Sequence, residues 1–302
     1  MLTRRTLIVA AWLLAPVSAA FAQDKLPVVA SFSIIGDIVK NVGAERVDVK
    51  SIVGPNGDAH VYSPSPADAK TVADAKVIFT NGLGFEGWLG RLIKSSNTKA
   101  PNIVVSKGVK SRKIAHSHGH GHGHDHGDGD PHAWQSVPNV KIYVANIRNG
   151  LIAADPAGKA AYEANTAAYL EKLDALDRDV RETIAKIPPE RRKIITTHAA
   201  FGYFEDAYGM DFIAPQGVST DSEASARDVA RIIQQIRKQK IPAVVLENIS
   251  DSRLLKRIAD ETGVKVGGTL YSDALTDEKG DAPTYIDLIR HNIRTLSAAL
   301  MS

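Results

Sequence analysis

Ten histidines are distributed unevenly over the 302 residues. His116, His118, His120, His122, His124 and His126 form one run, while His60, His132, His198 and His291 stand alone. Imidazoles bind zinc and related divalent ions, and a carboxylate can complete such a set. His60 lies in Gly57-Asp58-Ala59-His60, in a loop after an apolar run, and His198 directly follows the run Lys193–Thr197. His132 sits in the turn-forming context Asp130-Pro131-His132, and Asp273 follows Leu270-Tyr271-Ser272 just beyond another apolar stretch. Together His60, His132, His198 and Asp273 make a complete four-coordinate set for Zn2+. Nitrogen-rich ligation suits Zn2+ better than Mn2+, which leans toward carboxylates and water. Their spacing is far too wide for a local zinc motif, so only the fold can bring them together. His291 falls inside a helical stretch and is expected to be exposed or bonded locally.

The histidine run is a second, weaker metal element. Its histidines alternate mostly with glycine and lead through Asp125, Asp128 and Asp130 to His132. Such a tether cannot pack a core, yet it can wrap an ion. Ordering it costs conformational entropy, so it should bind more weakly than a preformed pocket. The expectation is a loop, 116–130, that collects Zn2+ or accepts it from a partner and passes it on.

Parallel strands alternating with helices would place these residues. Leu26–Phe32, Val47–Val53, Val77–Thr80 and Asn102–Val105 read as buried strands, with helices over Ser33–Val42, where Ser33 is the N-cap, and Pro66–Asp74. Asp155-Pro156 then opens a long helix that Pro188-Pro189 stops, a brace of roughly 45 Å at 1.5 Å per residue. The alternation resumes with strands at Lys193–Thr197, Phe212–Ile213, Ala243–Leu246 and Val264–Thr269. Helices are expected at Ala199–Tyr208, Ala224–Gln239, Ser250–Thr262 and Thr284–Ala299. The fold class is α/β, two Rossmann-like lobes with parallel sheets joined by a long rigid helix. The expected division is 1–22 leader, 23–154 N-terminal lobe, 155–189 linking helix and 190–302 C-terminal lobe. Ligands of open parallel sheets bind outside the carboxyl ends of the strands. Two residues from each half therefore point into one cleft between the lobes.

Composition removes several alternatives. Lys plus Arg number 37 against 34 Asp plus Glu, a net +3, too small a charge for a nucleic-acid partner. Cysteine is absent, which excludes thiolate metal sites, cysteine nucleophiles and disulfides. H-E-x-x-H and G-x-S-x-G are also absent, and with the fourth ligand position filled no enzyme is expected. Arg4 and Arg5, an apolar stretch Leu7–Val17 and Ala20-Phe21-Ala22 read as a secretory signal peptide. Thr3-Arg4-Arg5-Thr6-Leu7 leaves twin-arginine export open beside the general route. From the missing cysteine, the expected location is the free periplasm, with no lipid anchor.

Four segments resemble one family. Gly57-Asp58-Ala59-His60-Val61-Tyr62, Asp130-Pro131-His132-Ala133-Trp134, Thr197-His198-Ala199-Ala200-Phe201-Gly202-Tyr203-Phe204 and Leu270-Tyr271-Ser272-Asp273-Ala274-Leu275 resemble, in order, its ligand motifs. The family is that of the metal-binding receptors of bacterial ABC importers, the ZnuA/TroA-type cluster, with the AztC-type zinc proteins most similar. Asn81, Leu83, Phe85, Glu86, Trp88 and Glu223 also match its pattern. The resemblance implies one tight Zn2+ held as cargo by His60, His132, His198 and Asp273, with weaker sites on the histidine loop. It also implies a membrane permease as partner, and the chain is expected to be a monomer served by a periplasmic zinc chaperone. Manganese members carry a carboxylate where this chain has His198. The alternatives are a manganese or iron(II) receptor of the same fold, and a periplasmic zinc storage or chaperone protein. The histidine loop is shorter here than in many zinc members, and the cysteines of some relatives are missing.

Overall fold

The computed structural model describes residues 24–113 and 129–301. Its N-terminal sheet contains β1 (Leu26–Phe32), β2 (Val47–Val53), β3 (Val77–Thr80) and β4 (Asn102–Val104), all parallel and ordered β2-β1-β3-β4. Central β1 and β3 are almost continuously apolar and buried, as strands covered on both faces must be. Helix α1 (Ser33–Gly43) follows β1, α2 (Pro66–Asp74) precedes β3, and α3 (Leu89–Ser96) precedes β4. Helix α2 starts from a reciprocal cap in which the Ser65 hydroxyl accepts from Asp68 N–H and the Asp68 carboxylate accepts from Ser65 N–H. Ser33, expected as an N-cap, is instead the first residue of α1. Its hydroxyl accepts the N–H of Leu275, from the other lobe, at 3.0 Å.

Two long helices follow, α4 (Val137–Ala154) and α5 (Lys159–Ala185). Helix α4 is absent from the sequence expectation, whereas α5 is the expected brace. It is entered through a 3-10 turn at Pro156–Gly158 and is followed by another at Pro189–Arg191. At 27 residues it spans about 40 Å. It packs on α1 and α4 of one lobe and on α6 and α9 of the other.

The second sheet contains β5 (Lys193–Ile195), β6 (Asp211–Ile213), β7 (Ala243–Glu247) and β8 (Lys265–Leu270), parallel and ordered β6-β5-β7-β8. Its helices are α6 (Gly202–Tyr208), α7 (Ala226–Gln239), α8 (Arg253–Thr262) and α9 (Tyr285–Met301). Strand β5 stops at Ile195 and α6 starts only at Gly202, so His198 lies on irregular chain between them. One apolar core runs from Val28 through α4, α5 and α9 to Leu300, so both lobes share it. A smaller cluster around Ile195, Ile232, Ile236 and Ile258 fills the other face of the second sheet.

Candidate metal centre

Each of the four singled-out residues lies beyond the carboxyl end of a strand: His60 after β2, His132 after β4, His198 after β5 and Asp273 after β8. One donor atom from each comes within 4.8 Å of the other three. His60 Nε2 is 3.3 Å from His132 Nε2 and 3.1 Å from Asp273 Oδ2, and His198 Nε2 is also 3.1 Å from Asp273 Oδ2. His132, His198 and Asp273 have no solvent-exposed surface. Asp273 Oδ1 accepts no hydrogen bond among the described residues, an arrangement that suits a cation beside it.

The loops carrying the donors are fixed through their backbones. Asp58 Oδ1 accepts the His60 N–H at 2.9 Å, and Trp88 Nε1–H donates to the Ala59 carbonyl at 2.7 Å. Asn81 Nδ2 donates to the Pro131 carbonyl at 2.9 Å. Trp134 Nε1 and Gln135 Nε2 both donate to the Ser272 carbonyl, at 2.9 and 2.7 Å. Glu86 holds the turn beneath the site by accepting from the Ser31 hydroxyl and from Asn81 and Gly82 N–H. That turn passes through positive φ at Gly82, Leu83 and Gly84, which brings the Phe85 ring edge-on to His60 at 4.6 Å. The site is thus polar at its centre and aromatic at its wall.

Two imidazoles are held from behind by carboxylates. Asp130 Oδ1 accepts the His132 N–H at 2.9 Å and lies 2.8 Å from His132 Nδ1. Glu247, the last residue of β7, accepts the N–H groups of Thr197 and His198 through Oε1, and its Oε2 is 2.5 Å from His198 Nδ1. The Asp130 contact fixes the His132 ring, the Glu247 carboxylate backs His198 as a close charge, and in both rings Nε2 is left facing the other donors. Burial alone would lower the pKa of His198, but the Glu247 and Asp273 charges outweigh it and hold it well above the ordinary histidine value. His132 is raised in the same way against burial, by Asp273 and Asp130. His60 goes the other way, lowered by burial that Asp273 does not offset. Burial would raise Asp273, yet the His132 and His198 rings hold it well below the carboxylate range.

His291 does not join the cluster. Its Nε2 lies 3.0 Å from the Thr269 carbonyl, a local partner. Glu223 stands apart too, lining with Asp58, Thr197 and Thr220 a cavity of about 330 Å³ at the lobe junction. The histidines 116–126 and the segment 1–22, expected as a leader, lie outside the described residues. Sequence reasoning did not find Glu247 or the bracing roles of Asp58 and Asp130. For Glu247 a signal existed, because an acid closing an otherwise apolar strand seeks a partner.

The profile described as "Zinc-uptake complex component A periplasmic" matches residues 28–299. The chain is 35% identical over 278 residues to the manganese-binding lipoprotein MntA of Halalkalibacterium halodurans, covering 92% of this chain and 89% of that protein. To the iron-binding protein YfeA of Yersinia pestis it is 35% identical over 273 residues, covering 90% and 86%. The periplasmic zinc-binding protein TroA of Treponema pallidum superposes with a TM-score of 0.85 at 31% identity, covering 92% and 99%.

One expectation is corrected by these relatives. MntA and several streptococcal relatives are named lipoproteins, so a freely soluble periplasmic location without an anchor does not stand. A missing cysteine bears on one chemistry of attachment and was too narrow a basis for placing the protein. The family consists of transport components that bind a substrate, not enzymes. On sequence, on the two-lobed parallel-sheet fold and on a four-residue metal cluster between the lobes, the chain belongs to the ZnuA/TroA family of periplasmic metal-binding receptors, which work with the membrane permease and ATPase of ABC importers.

Proposed function

We propose that His60, His132, His198 and Asp273 ligate one ion and that the cargo is Zn2+, delivered to the permease of an ABC importer. The observation that carries this reading is the donor set, three imidazole nitrogens and one carboxylate converging on one point. Tetrahedral zinc with bonds of about 2.0–2.1 Å has ligand-to-ligand edges of about 3.3–3.4 Å. Three of the six separations among these donors, 3.1, 3.1 and 3.3 Å, are close to that length, and all lie within 4.8 Å. The second reading is manganese or iron(II), favoured by the names of MntA and YfeA. Nitrogen-rich ligation weighs toward zinc.

The proposal divides the chain into a leader 1–22, lobes 23–154 and 190–302, and a linking helix 155–189. The receptor acts as a monomer, takes zinc from a periplasmic chaperone, and uses the histidine loop as a weaker collector. Competitive titration of the metal-free protein against a chelator of known affinity tests the cargo. The expected result is one tight Zn2+ equivalent, unmoved by excess Mn2+. A nanomolar constant corresponds to about 12 kcal/mol. Further weak equivalents that vanish on deleting residues 116–126 assign those to the loop. Tighter binding of Mn2+ or Fe2+ than of Zn2+ would overturn the zinc assignment while leaving the receptor fold in place.

A further inference from the structure

Arg112 lies outside the ligand set and links the chain before His132 to helix α6, which follows His198. Its guanidinium divides its nitrogens among three carboxylates. Nη2 is 2.6 Å from Glu205 Oε2 and Nε is 3.2 Å from Asp206 Oδ2, both on α6 of the C-terminal lobe. Nη1 is 3.7 Å from Asp130 Oδ2, the far oxygen of the buried carboxylate that braces His132. That oxygen accepts no hydrogen bond among the described residues, so the arginine charge is what faces it. The backbone of the same residue repeats the bridge: Arg112 N–H donates to the Tyr203 hydroxyl on α6 at 3.0 Å, and Asp130 N–H donates to the Arg112 carbonyl at 2.8 Å. Helix α6 begins four residues after His198. A Cβ at Gly202, its first residue, would meet Arg112 Nη1 and Asp130 Oδ2, so these two side chains pack directly against the start of α6.

We propose that Arg112 is a positioning residue for the cargo site, an ionic tie that fixes the His132 arm of one lobe against the His198 arm of the other. A planar guanidinium spreads five N–H donors over a rigid fork, so it can hold three separated acceptors in fixed directions, where an ammonium is a compact point charge. The Asp206 contact is exposed and contributes little. The contacts to Glu205 and Asp130 are more deeply placed, and they set the separation of the two arms. Loss of the tie leaves both histidines present but free to spread, so the ion escapes faster although every donor remains. This inference rests on the reading of the four residues as ligands.

The test measures transfer of Zn2+ from loaded protein to excess chelator, together with the visible spectrum of the Co2+-loaded protein, which reports ligand geometry. For Arg112→Ala the expected result is release faster by on the order of tenfold, the scale seen when an outer partner of a metal ligand is removed, with a shifted Co2+ spectrum. Metal-free melting should fall as well, because the buried Asp130 loses the charge that faces it, so release and the Co2+ spectrum of the folded variant carry the test. The double variant Glu205→Gln/Asp206→Asn keeps the arginine, cuts its anchors, and should move both readouts the same way. It decides the matter if Arg112→Ala does not fold. Release within about twofold of the parent and an unchanged Co2+ spectrum in the folded variants would overturn the tie. His132→Ala separates the two claims: if it keeps parental zinc affinity the ligand reading fails, whereas if it loses zinc while the Arg112 variants release normally, only the tie fails.

Discussion

His198 has a carboxylate beside each ring nitrogen, with Nε2 3.1 Å from Asp273 and Nδ1 2.5 Å from Glu247. Cargo preference at this position therefore involves two residues. Replacing His198 with aspartate should favour Mn2+ by adding a hard oxygen donor. It would also leave Glu247 facing a second acid in a buried site, and like charges there are costly. The expected outcome is that His198→Asp alone weakens every metal and lowers the melting temperature of the metal-free protein. The double variant His198→Asp/Glu247→Gln should recover stability and shift the Zn2+ to Mn2+ affinity ratio toward Mn2+ by on the order of tenfold or more. Chelator competition with both ions checks the shift, and an unchanged ratio in the double variant would show that the residue does not set preference. That these four residues converge was legible in the sequence, because histidine is scarce outside the run, His198 and Asp273 directly follow apolar stretches, and His60 and His132 stand in loop and turn contexts. Arg112 was not, and the acid that closes β7 signalled only that Glu247 needs a partner, since the partners of both lie on other elements at separations that no local pattern records.

Helices α1 and α9 meet at Asp37, whose Oδ2 accepts the Tyr285 N–H at 2.9 Å, while Asn41 Nδ2 donates to Oδ1 at 3.2 Å. The carboxylate lies at the positive end of α9, which favours its charge, but burial prevails and pushes its pKa up to about 6. The sign follows from linkage: the folded chain holds this proton more tightly than the unfolded one. Stability from this group is thus fully present below about pH 4 and falls away as pH rises through about 6. Asp37→Asn should stabilise the metal-free protein at pH 7 by on the order of 1 kcal/mol after the loss of the Asn41 bond, read as a higher melting temperature. The gain should shrink toward zero by pH 4, and a gain independent of pH would assign it to packing. This contact was hidden in the sequence, because it joins helices 248 positions apart. Helix α4 was missed for a different reason. Val137, Val140, Val144, Ile147 and Leu151 keep a helical spacing and are all buried. The stretch also carries Pro138, Asn139, Asn146, Asn149 and Gly150, and those residues read locally as turn formers. Tertiary burial against α1, α5 and β3 overrides that local preference. The strands were easier, because fully buried parallel strands leave unbroken apolar runs.

A receptor that must give up its ion could open at a hinge or loosen its loops, and the size of the shared core decides between them. The buried face of α5, with Tyr169, Leu173, Leu176 and Val180, packs against helices of both lobes, and the same apolar cluster continues into Leu288 and Leu296 of α9. Swinging one lobe away would expose several such side chains at about 1.5–3 kcal/mol each. Four of them already approach the roughly 12 kcal/mol of a nanomolar ion. A ligand shifts an equilibrium only by its differential affinity for the two states, so hinge opening would consume nearly the whole binding energy of the cargo. Loosening of the donor loops disturbs a few hydrogen bonds instead, such as that between the Thr220 hydroxyl and Asp58 Oδ2 across the lobes at 2.6 Å. Small-angle scattering of metal-free and Zn2+-loaded protein should therefore give radii of gyration differing by less than about 0.5 Å around the ~19 Å expected for a compact chain of this length. Hydrogen exchange on the same samples should show protection gained on zinc binding in the loops around His60, His198 and Asp273, with α4 and α5 unchanged. A larger change in radius, or exchange gained along α5, would mean that the shared core does open and that the permease draws the lobes apart rather than unfastening the loops.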